Sequence, residues 1–162
     1  MPEKACIRRV MGNSEGAAAI EFAIILPIFF LLIMGMVEFG FVFSMRQIIV
    51  NASREGARYG IAFKVNNDAT GTRTPPINLT PSIQSWVLAT TPDGRGVGLT
   101  SLLPADAYPS VTVDGSGAAT GKAGDNLKVK VTCNYNFLVV NRFIPFFPDK
   151  WEIGAVTVMR VE

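Results

Sequence analysis

Polar and basic positions without any hydrophobic period fill residues 1–16, and from Ala17 onward polar positions all but vanish. Between Phe22 and Phe43 the chain carries one charged residue, Glu38. As a helix this stretch is about 33 Å long, which matches the hydrocarbon core of a bilayer. The pattern predicts a transmembrane segment over about 22–43. Helical spacing continues beyond it. Ile48, Ile49, Ala52 and Tyr59 recur at helical intervals with arginines on other faces, and no proline falls between Met45 and Gly60. One helix over about 17–62 is predicted, roughly 69 Å long at the usual rise. Pro27 removes the bond to the carbonyl of Ala23 and is expected to kink it.

The pattern changes after residue 63. Asn66 to Pro76 holds Asn, Asp, Gly, Thr and two prolines and is predicted to be loop. Thr80 to Leu88 is predicted to be a short helix, with Thr80 as N-cap and Pro81 at the first helical position. Asp93-Gly94-Arg95-Gly96-Val97-Gly98 is a turn-rich connection. Then the period becomes two. Ser110–Asp114 is a short strand. In 126–137, Leu127, Val129, Val131, Cys133, Tyr135 and Phe137 share one face; Lys128, Lys130, Thr132, Asn134 and Asn136 share the other. One dry and one wet face is the mark of an antiparallel sheet. Trp151–Val161 gives a third, more weakly alternating strand. Between these strands Val139–Pro148 is an apolar loop that could cover the core end, touch the bilayer surface or meet a partner. The predicted class is α+β: a long N-terminal transmembrane helix continuing into a small domain with a short helix and about three antiparallel strands.

Composition narrows the function. A chain of 162 residues allows the anchor plus one modest domain. The net charge of +2 gives no footprint for nucleic acid. The chain contains no histidine, which removes the commonest general base, the Ser-His and Cys-His pairs and imidazole metal ligands. The glycines near Gly94 and Gly121 form no phosphate loop, since no Gly-Lys-Ser/Thr follows. The sequence implies no enzyme, cofactor or metal. Cys6 and Cys133 stand in different segments, so no internal disulfide framework is expected, and Cys133 reads as a buried small apolar residue.

Chemistry concentrates on the long helix. A cleaved secretory signal carries its small residues after a shorter apolar region. Here Gly16-Ala17-Ala18-Ala19 come before the run, so a cut there would leave the apolar segment on the mature chain. Lys4, Arg8 and Arg9 precede the segment, while Arg46, Arg54, Arg58 and Lys64 follow it, so charge asymmetry does not set the orientation. Glu21 sits at the lip of the apolar run, where a carboxylate needs a partner. A cut after Gly16 would create one: the free amine of Ala17, four residues earlier. Between subunits such a pair would fix register, because an unpaired buried charge is penalised. Glu38, inside the run, is expected to be solvated at the far interface. Arg46, eight residues on, is poorly placed to reach it within one helix, whereas a neighbouring subunit shifted along its axis could bring the charges together. Ala52, Gly56 and Gly60 form a small-residue row at four-residue spacing, suited to close packing on the chain's own domain or on another subunit.

Gly16 and Ala17, with Glu21 and Phe22 at the fifth and sixth positions beyond the cut, look like a type IV prepilin cleavage site. The longer pattern adds Leu26-Pro27, Val37-Glu38-Phe39-Gly40 and Asn51-Ala52-Ser53-Arg54-Glu55-Gly56-Ala57-Arg58-Tyr59. It resembles the TadE-like pseudopilins of tight-adherence (Tad/Flp) pilus systems. Gly124-Asp125 and the closing Met159-Arg160-Val161-Glu162 are also similar to that family. TadF-like proteins share the N-terminal signature. The resemblance implies a leader over 1–16 that stays cytoplasmic and a cut after Gly16 by a prepilin peptidase. It implies a single pass through the bacterial inner membrane and a periplasmic domain over 63–162. The partners implied are other pilins and pseudopilins and the Tad assembly platform, with self-association through the helix and incorporation in a pilus as further expectations. The alternative is a permanently membrane-anchored periplasmic binding or scaffold module of a secretion system.

Overall fold

The apolar run and its continuation form one helix, α1, Ser14–Ile61, of 48 residues and about 72 Å. The structure is a computed structural model that describes residues 14–62, 75–79, 81–89, 95–144 and 148–161. Residues 1–13 of the expected leader over 1–16, most of the 66–76 loop, Thr80, the start of the 93–98 connection and residues 145–147 lie outside the described residues. α1 passes through Pro27 without a break.

Short elements follow: a 3₁₀ turn at Pro76–Asn78, α2 at Ile83–Leu88 and α3 at Leu99–Leu102. The N-cap of α2 is Ser82, whose hydroxyl accepts the Ser85 N–H at 3.1 Å. The expected start at Thr80–Pro81 is therefore too early. Pro81 precedes the cap, and its carbonyl accepts the Tyr59 hydroxyl of α1 at 2.8 Å. The remaining elements are β1 at Ser110–Asp114, α4 at Ser116–Thr120, β2 at Asn126–Asn136, α5 at Val140–Phe143 and β3 at Lys150–Arg160.

The three strands lie in the order β1-β2-β3, antiparallel throughout. Val111 pairs with Val131 and Val113 with Val129, while Cys133 faces Ile153 and Leu127 faces Met159. Alternation on β2 is clean: Leu127, Val129, Val131, Cys133 and Tyr135 are buried, and Lys128, Lys130 and Asn134 are exposed. On β3 the contrast is weaker: Ile153 is buried and Ala155, Thr157 and Met159 are half-buried, while Val156 and Val158 face solvent opposite Lys130 and Lys128.

The core lies between the sheet and the C-terminal half of α1. Met45, Ile49, Ala52, Ala57 and Tyr59 from the helix meet Leu127, Val129 and Val131 from β2, with Ile83 and Val87 of α2 closing one side. At the sheet's far end the Gly124 N–H donates to the Val161 carbonyl, and the Val161 N–H donates to the Asp125 carbonyl, both at 2.8 Å. Arg160 Nε also donates to the Gly124 carbonyl at 3.0 Å. The two short stretches near residues 124 and 160, separate in sequence, thus form one corner. Gly124 takes a φ of +97° there, which favours glycine.

Candidate functional site: the two halves of the long helix

The N-terminal half of α1 is bare. Gly16, Ala17, Glu21 and Phe22 are all exposed, and a side chain built on Gly16 would meet nothing within 4 Å. Ile20, Phe22, Ile24, Ile25, Ile28, Phe29 and Phe30 are each more than half exposed, and together they cover every face of the helix. A helix hydrophobic all round needs an apolar surrounding, a membrane or a bundle of like helices. By length and composition α1 could span a membrane, and none of its most apolar stretch is buried.

The character changes at Glu38. This carboxylate is 4 % exposed. Its Oε1 accepts the backbone N–H groups of Leu138 and Val139, the latter at 3.2 Å, and its Oε2 accepts that of Val140 at 2.9 Å. Val139 is the N-cap of α5, which has no side-chain cap of its own. Glu38 therefore supplies from a distant helix the acceptor that this turn lacks. Bonds from N–H groups to an ionised carboxylate are among the stronger hydrogen bonds, and they offset the cost of burying the charge. Interfacial solvation, expected from the sequence, is corrected here: three N–H groups take the place of water. Arg46 is exposed and is not among the groups bonded to Glu38. Tyr135 stands close by. Burial pushes its hydroxyl pKa up, and the negative charges of Glu38 and Asp106 push it further in the same direction.

Below Glu38 the helix is locked into the domain. Ala52, Gly56 and Gly60 are buried against it. A Cβ on Gly56 would lie 2.6 Å from Val87 Cγ2, and one on Gly60 would lie 2.5 Å from Leu127 Cδ2 and 2.8 Å from Ile83 Cδ1. The small-residue row packs on its own domain. Ser53, fully buried, donates to the Val50 carbonyl at 2.9 Å, and its hydroxyl lies 2.8 Å from that of Thr157 on β3. Tyr59 stacks on Trp86 with ring centroids 4.2 Å apart and planes 9° from parallel. On the open side, Glu55 and Arg58 form a two-pronged ion pair at 2.7 and 3.0 Å. The Arg58 hydrogen bond holds the Glu55 carboxyl below the ordinary carboxylate value.

Sequence reasoning missed the Glu38 and Ser53 contacts. A signal for the first was present. Glu38, Met45, Ile49, Ala52 and Gly56 recur at intervals of seven, four, three and four, which is the spacing of one helix face. Glu38 is the polar head of the stripe that faces the domain. Cys133 is a free thiol, 2 % exposed, and burial pushes its pKa up, as suits a packing residue. No cluster of His, Cys, Asp or Glu able to hold a metal occurs among the described residues.

The fold is thus α+β: one long helix, apolar on every face in its first half, whose second half packs on a small domain with a three-stranded antiparallel sheet. Residues 16–58, about a quarter of the chain, match the family described as TadE-like protein, which is consistent with a TadE-like component of the Tad pilus system. The match begins at Gly16 and ends within the packed half of α1. No curated protein and no solved structure gives a significant match.

Proposed function

We propose that the chain is a minor pilin or pseudopilin, cut after Gly16 by a prepilin peptidase, that acts in assembly of a Tad/Flp-type adhesive pilus. Residues 1–16 are the cytoplasmic leader, α1 crosses the inner membrane over about 22–43, and 63–162 form the periplasmic domain. The observation that carries this is that the TadE-like match, starting at Gly16, covers a helix whose first half is unburied and carries apolar side chains on every face. A free helix of this kind can pass from lipid into a bundle of similar helices without unfolding the domain. Cleavage creates the Ala17 amine, and the exposed Glu21 carboxylate of a neighbouring subunit neutralises it and sets the stagger. The partners are the peptidase, other pilins and pseudopilins, and the Tad assembly platform.

Replacing Gly16 with leucine tests this in cells. Uncut precursor and lost piliation are expected, whereas unchanged piliation would favour a permanently anchored module. Glu21→Ala separates the two roles further: the protein is still cut but poorly incorporated. Normal assembly by that variant removes the pairing argument.

A further inference from the structure

Glu38 fixes the depth of a distant segment. Its carboxylate binds the N–H groups of Leu138, Val139 and Val140, so the end of β2 and the start of α5 stand beside α1 at the level of residue 38. The apolar surface of α1 does not stop at that level. Val37, Phe39, Phe41 and Phe43 are each at least half exposed. Phe43 lies five residues, or about 7.5 Å of helix rise, further toward the domain. Whatever apolar medium covers Phe43 therefore also reaches the segment clamped at residue 38.

That segment turns large apolar side chains outward. Leu138 is 72 % exposed, Phe143 63 % and Ile144 41 %. The inward positions Phe137 and Val140 already close the core end, so these three are not needed there. Arg142 and Lys150 are exposed beside them, as is Asp149, whose Oδ1 accepts the Asn141 side-chain amide at 3.1 Å. Apolar side chains with long basic neighbours suit the boundary between acyl chains and headgroups, where the chains bury and the charges reach phosphate.

We propose that Leu138, Phe143 and Ile144 form a second membrane contact, seated in the interfacial layer of the leaflet on the domain side, with Glu38 as the positioning residue that sets their depth. The inference rests on α1 spanning the bilayer. Its occupant is lipid, because the Glu38 bonds hold the patch at the level of the exposed apolar surface of the helix. With helix and segment both engaged, the domain has one orientation on the membrane rather than a swivel.

The test uses the full chain in phosphatidylglycerol-containing vesicles, with Trp86 and Trp151 replaced by phenylalanine and one tryptophan reintroduced. F143W fluorescence is expected to be roughly halved by lipids brominated near the headgroup. F30W is expected to be quenched by lipids brominated deep in the chains, and A119W, at an exposed position of α4, by neither. F143W as unquenched as A119W while F30W is quenched overturns the contact and leaves the anchor standing. An unquenched F30W overturns the anchor and the contact with it. If loss of both tryptophans prevents folding, a nitroxide on L138C in a Cys6→Ser background gives the second measurement. Greater accessibility to oxygen than to a water-soluble nickel complex is expected; the reverse overturns the proposal.

Discussion

One helix carries two surfaces with opposite rules. From Gly16 to Val37 no residue of α1 is buried, and a Cβ added at Gly16 or Gly35 meets open space. From Glu38 to Gly60 its inner face is closed to within a methyl group, with Gly56 and Gly60 under Val87, Ile83 and Leu127. Gly16 and Gly35 in the first half, and Gly40 on the outer face just past the border, adjoin open space, whereas Gly56 and Gly60 are a fit requirement. The difference assigns the two halves to different tasks. The first half is free to change its surroundings, and the second keeps the domain attached while it does so.

Glu38 marks the border, and its removal should have the largest effect. Glu38→Leu leaves three N–H groups without an acceptor, at an expected cost of about 2–4 kcal/mol to the domain. Chemical denaturation of the detergent-solubilised protein measures this. Glu21→Ala, in the free half, should leave the same midpoint unchanged. Equal effects from the two carboxylates would show that the border is misplaced.

A smaller contrast comes from the glycines. Gly56→Val forces a β-branched side chain against Val87, itself fully buried and stiff, and should cost about 2–3 kcal/mol. Gly40→Val meets open space and should shift stability by no more than about 0.5 kcal/mol. Paired melting curves in detergent distinguish them.

The smallest effect concerns Glu55 and Arg58 on the open side of the packed half. The Glu55 carboxyl is held low, first by its hydrogen bond from Arg58. A lowered folded-state value means the pair stabilises above the ordinary carboxylate range and loses its effect as pH falls through the lowered value. Glu55→Gln should flatten that acid limb of the stability curve slightly, and added salt should do the same, because the pair is exposed and screened.

Much of this was legible in the chain. The alternation of β2 named its buried face residue by residue, and β1 fell where its Val-Thr-Val pattern put it, because period two has few other uses in a half-buried segment. The length and apolar character of α1 were equally plain. The α2 cap was not: Thr80 and Ser82 are both good caps by residue type, and the structure uses Ser82, with the Pro81 carbonyl accepting the Tyr59 hydroxyl instead. The partner of Glu38 was hidden for the same reason. Its acceptor role is satisfied by backbone N–H groups a hundred residues away, which carry no side-chain signature. The stripe from Glu38 through Gly56 told which way the carboxylate faces, but not what it meets.

The account stands on the free half of α1 beginning as a new N-terminus. Mass spectrometry of the mature protein extracted from membranes of cells with an active prepilin peptidase tests that directly. The mature chain is expected to start at Ala17 with a free or modified α-amine close to Glu21. A chain still carrying residues before Gly16 in those cells would contradict it.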